Sequence, residues 1–74
     1  MEKKRIHEMH TYRVTWDYKI GRRCVPQERM VRARNAKAAV AYMKHWHEDQ
    51  AAADIRRLGF PATRHPFHLR AERV

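Results

Sequence analysis

From Thr11 to Lys19 the chain alternates without a break. Tyr12, Val14, Trp16 and Tyr18 are interleaved with Thr11, Arg13, Thr15, Asp17 and Lys19. A period of two, written in β-branched and aromatic residues, is the signature of a strand with one buried face. This run commits the chain to a sided sheet, so the rest of the sequence must supply neighbouring strands and a cover. Gly21, with Arg22 and Arg23 beside it, reads as the turn of a hairpin. Pro26 keeps the next few residues out of a central strand, because its nitrogen cannot donate to a ladder. A second strand is expected from about Gln27 to Arg34. Val31 and Ala33 would face the core there, with Met30, Arg32 and Arg34 on the other side.

Asn35 is a good helix N-cap, and Ala36 to Lys44 has high helix propensity. Ala36, Ala39, Val40, Met43 and His47 share one face at helical spacing. A straight continuation would bring Gln50 and Asp54 onto that apolar face. The expectation is therefore a bend or break near Glu48–Gln50, with Asp49 capping a second short helix that carries Ala51, Ile55 and Leu58. Gly59 should end it in the left-handed conformation, with Phe60 packing back on Ile55 and Pro61 preventing continuation. A third alternating stretch then sets Phe67, Leu69 and Ala71 against His68, Arg70 and Glu72. The order β-β-α-α-β, with the last strand returning beside the first, predicts an α+β fold. It has a three-stranded antiparallel sheet of order 2-1-3, one face covered by a helix that bends or breaks into two. Residues 1–9 read as a flexible basic arm and residues 10–74 as a single domain.

The chain has 74 residues, and a domain of this size buries only about 60% of its unfolded surface. That leaves little wall for a catalytic pocket, and no enzyme is expected. No serine is present, and two glycines cannot build a phosphate-cradling loop. His7-Glu8-Met9-His10 has its histidines three apart rather than four, so it departs from the zinc-protease pattern. Neither a metal nor another cofactor is expected. The lone Cys24 gives no disulfide framework and suits a reducing compartment. Lys3-Lys4-Arg5 precedes no apolar run, as a signal peptide would require, and no segment approaches the ~20 apolar residues of a membrane span. The reading is a cytoplasmic protein, a short complete gene product of the kind that phages carry.

The formal net charge is +9, and ten of the 17 Lys and Arg fall in residues 1–34. Strand parity puts Arg13, Arg32, Arg34 and Arg70 on the face away from the helix, with Lys19, Arg22 and Arg23 extending the positive surface at the hairpin end. Several arginines on one surface release counterions from a phosphate backbone and grip phosphates bidentately. The expected partner is nucleic acid, a duplex in preference to a single strand, because the aromatic rings belong to the core and are not free to stack on bases. The competing reading is a protein-interaction module that uses Tyr42, His45 and Trp46 on the outer helix flank. Tyr and Trp are favoured interface anchors. The open sheet edges leave a homodimer as an alternative state.

The string Val31-Arg32-Ala33-Arg34-Asn35-Ala36-Lys37-Ala38-Ala39-Val40, following an aromatic strand, resembles small phage-encoded ββαβ proteins, including some of the anti-CRISPR type. The resemblance covers Tyr12 to Val40 and contains no catalytic or ligand motif, so it transfers no functional residue. It implies a protein that inhibits or redirects a bacterial host machine by binding it. The basic face would then meet nucleic acid within that machine or an acidic protein surface. The double helical segment departs from the simplest form of that pattern.

Overall fold

The computed structural model describes residues 8–74, and the Lys3-Lys4-Arg5 portion of the basic arm and His7 lie outside that range. Strand β1 spans His10–Ile20, β2 Arg23–Ala33, helix α1 Ala36–Leu58 and β3 Phe67–Arg73. The sheet is antiparallel with order β2-β1-β3. The aromatic strand is central, as the return of the last strand beside the first predicts. Tyr12, Val14 and Trp16 are buried, as are Val31 and Ala33 of β2 and Ala39 and Met43 of α1. No helix among the described residues is long and apolar enough to cross a membrane.

The second strand starts four residues earlier than expected and runs straight through Pro26. The register explains why. Val74 N–H donates to the Thr11 carbonyl, so odd-numbered β1 residues bond to β3 and even-numbered ones to β2. Pro26 lies opposite Asp17, so its nitrogen faces outward on an edge strand and no ladder bond is lost. Ile20 pairs with Arg23 across a two-residue loop whose first position, Gly21, has φ 64°. A primed hairpin turn of this kind wants glycine there, because its twist matches that of the strands.

Helix α1 begins as read, with the Asn35 side chain accepting the Ala38 N–H at 2.8 Å. It ends at Gly59, with φ 88°, whose N–H bonds the Ile55 carbonyl at 2.9 Å. The expected break at Glu48–Gln50 does not occur: 23 residues form one helix. Beyond His47 the only buried residue of α1 is Asp54, and it is not stranded in the core. Its Oδ2 accepts from Ala62 N–H at 3.1 Å, Thr63 N–H at 2.8 Å and the Thr63 hydroxyl at 2.6 Å, while Arg57 donates to Oδ1 at 3.1 Å. A carboxylate with this many donors can stay on the inward face of an unbroken helix. Ala36, Ile55 and Leu58, expected inside, are exposed, as is Phe60.

Asp54 ties the segment before β3 to the helix, and that anchoring depends on pH. The Thr63 hydroxyl first, then the backbone donors and Arg57, hold its carboxyl below the ordinary value of 3.8 against the opposing effect of burial. An unfolded chain therefore takes up this proton before the folded one does. The stabilisation is complete above about pH 3.8 and is lost as pH falls through the lower folded value. Urea midpoints measured from pH 6 to pH 2.5 should fall more steeply for the natural chain than for Asp54→Asn. Parallel curves would remove this role from Asp54.

His47 shows how a polar ring fits the core. Its Nδ1 donates to the Met43 carbonyl at 2.8 Å, which leaves Nε2 to accept the Tyr18 hydroxyl at 2.7 Å. Trp16 and Trp46 meet the same ring edge-on, with centroids 5.3 and 4.9 Å away. Trp16 Nε1 has no acceptor among the described residues.

Candidate phosphate-binding face

The sheet face turned away from α1 is built by pairing. Cross-strand partners share a face, so the rows of this side are Arg32–Thr11, Met30–Arg13–Glu72, Glu28–Thr15–Arg70, Pro26–Asp17 and Cys24–Lys19. Arg32, Arg13 and Arg70 thus fall on successive rows and successive strands. They form a diagonal across the whole sheet, each step about 8 Å from the strand spacing and the rise of two residues. Arg34 follows Arg32 at the upper end, in the bend after β2. Lys19 lies beyond the lower end, with Arg22 in the hairpin turn. Arg23 shares the row of Ile20 and therefore belongs to the helix side.

Strand parity places the cations of this face but does not show which acids stand beside them. Arg13 has Glu28 at 3.9 Å on one side and Glu72 at 3.7 Å on the other. Both pairs are long and exposed, and such pairs contribute roughly 0–1 kcal/mol. They narrow the positive surface to a stripe without closing it. Arg32 and Arg70 form no ion pair with another described residue. Only the register of three strands reveals that Glu28 and Glu72 flank the diagonal, and no local pattern carries that information.

The lower end of the diagonal opens into a shallow depression lined by Thr15, Asp17, Glu28, His68 and Arg70. Here the β1–β3 register shifts. Arg70 faces Thr15 while Phe67 faces Asp17, so His68 and Leu69 together oppose Trp16 in a β-bulge. His68 has φ 60°, the one non-glycine residue with positive φ among those described. A backbone held there costs about 1–3 kcal/mol. His68 Nδ1 lies 2.9 Å from Asp17 Oδ2. The bulge also corrects the reading of Phe67. It is placed opposite Asp17 and outside the core cluster, with Lys19 Nζ 4.5 Å from its ring centroid and His65 edge-on at 4.8 Å. No signal in the sequence marked the bulge, since neither glycine nor asparagine occupies position 68.

The flank considered for protein contact is divided. Tyr42 is 51% exposed. His45 is also exposed, with Nδ1 3.2 Å from Glu48. Trp46 is half-buried, packs against the core and lies under the Arg29 guanidinium at 5.5 Å. Comparison with protein-family models, curated proteins and solved structures yields no match to this chain.

Proposed function

We propose that this protein binds the phosphate backbone of a nucleic-acid duplex through its uncovered sheet face. The observation that carries the reading is the diagonal of Arg32, Arg13 and Arg70, extended by Arg34 at one end and Lys19 at the other. A line of guanidinium groups suits one phosphate strand, whereas a broad patch would suit any anion. The mode follows from what the face lacks. Tyr12 and Trp16 are 7% and 6% exposed and lie on the other side of the sheet, so their rings are not a platform for unpaired bases. Arg22 in the hairpin turn adds charge at the margin and sets no register, whereas Arg23 lies on the helix side. Binding here needs neither catalysis nor a cofactor.

A labelled duplex titrated at several salt concentrations tests the proposal. Three to five neutralised phosphates predict a log–log slope of about −2.7 to −4.5. An affinity that stays flat between 50 and 200 mM salt overturns the reading. Retention of an acidic protein fragment with no retention of duplex would do the same, and would assign the face to a protein partner.

A further inference from the structure

The His68–Asp17 pair stands at the foot of the arginine diagonal, and phosphate binding alone gives it no task. We infer that it recognises a ribose 2′-hydroxyl and that the duplex is RNA. This inference rests on the phosphate-binding reading and names the ligand class of the same face. The Asp17 carboxylate can only accept, so His68 Nδ1, 2.9 Å away, is the donor. In the neutral imidazole that leaves Nε2 as an acceptor, fixed in orientation by the carboxylate behind it. With its side chain 68% exposed, the ring presents that acceptor to a ligand.

An acceptor beside a phosphate track is unsuited to phosphate, which also accepts. It suits a hydroxyl. His68 and Arg70 are two residues apart on β3, and the bulge brings them closer than the about 7 Å of two regular strand residues, so one nucleotide can rest its phosphate on Arg70 and its sugar at His68. An A-form RNA duplex offers this combination in its wide, shallow minor groove, where 2′-hydroxyls line the surface between phosphates. The face matches in shape as well, since it is an open sheet and the described residues project no helix or long loop from it to enter a deep major groove.

The test compares three labelled duplexes of one sequence at fixed salt and pH 8: RNA, DNA, and RNA with 2′-fluoro sugars. The fluoro duplex keeps the A-form but has no hydroxyl proton to donate. The natural chain should bind RNA about five-fold more tightly than the fluoro duplex, the worth of one ordinary hydrogen bond. His68→Gly should erase that difference while leaving DNA affinity unchanged. Glycine is the appropriate replacement because it accepts φ 60° without strain, and a thermal melt of the variant confirms the fold. Equal, salt-sensitive binding of RNA and its fluoro analogue would overturn the RNA assignment and leave the phosphate reading standing. A preference for RNA that survives His68→Gly would equally remove His68 from the role. Salt-independent or absent binding of all three duplexes would end both readings.

Discussion

Met43→Ala should remove half or more of this protein's stability. Met43 is fully buried at the centre of a cluster made by Tyr12, Val14, Trp16, Val31, Ala33 and Ala39. Two members of that cluster are alanines, so large side chains are few and each fills much of the space between helix and sheet. Removing a buried Met side chain costs about 2–5 kcal/mol, through lost transfer energy and the cavity left behind. A chain of 74 residues has roughly 4–11 kcal/mol in total, and a thin two-layer domain belongs at the lower end of that range. The urea midpoint should collapse with little change in slope where a transition is still seen. Met43→Leu, which nearly conserves volume, should cost less than about 1.5 kcal/mol. Met30→Ala provides the contrast: Met30 is 49% exposed on the uncovered face, and its loss should change stability by about 0.5 kcal/mol or less. Similar losses at Met30 and Met43 would mean that the core lies elsewhere than between α1 and the sheet.

The parts of this fold that could be read from the sequence are those that local chemistry decides. Alternation set the phase of β1, the Asn35 side chain marked the start of α1, and Gly59 marked its end. The strand order followed from chain connectivity. The misreadings occurred where distant residues settle a local question. Asp54 looked like a polar intruder that should break the helix, because its donors, Ala62 and Thr63, lie eight and nine positions further along. Pro26 excludes a central strand but not an edge strand, and only the register shows that β2 is an edge with the proline nitrogen turned outward. At Phe67 the alternation is genuine, but a single bulged residue removed the ring from the core. The candidate face divides in the same way. One-strand parity gathers Arg13, Arg32 and Arg70, whereas the Glu28 and Glu72 carboxylates beside Arg13 and the His68–Asp17 pair depend on three strands in register.

The diagonal itself predicts an outcome that diffuse positive charge does not. Arg32→Ala, Arg13→Ala and Arg70→Ala should each weaken duplex binding by about five- to ten-fold at low salt, the worth of one solvent-exposed contact of about 1–1.4 kcal/mol. Each should also reduce the salt slope by about 0.9, one phosphate fewer. Combined, the three should cost on the order of 100- to 1,000-fold and remove most of the salt dependence. Glu28→Gln with Glu72→Gln should act in the opposite sense, raising affinity several-fold. Arg13 would no longer be shared with carboxylates, and the phosphates would no longer approach like charge. Because the Arg13 pairs are long and exposed, stability should scarcely change in that double variant. The decisive control is a second triple, Arg23→Ala, Arg29→Ala and Arg73→Ala. It removes the same charge from rows that share the helix side of the sheet. If net charge alone drew the ligand, both triples would weaken binding equally, and the diagonal would be a coincidence of register. If the face is what binds, the second triple should lose affinity only through weaker long-range attraction. That attraction fades within a Debye length of about 8 Å at physiological salt, so the gap between the two triples should widen as salt is raised towards that range.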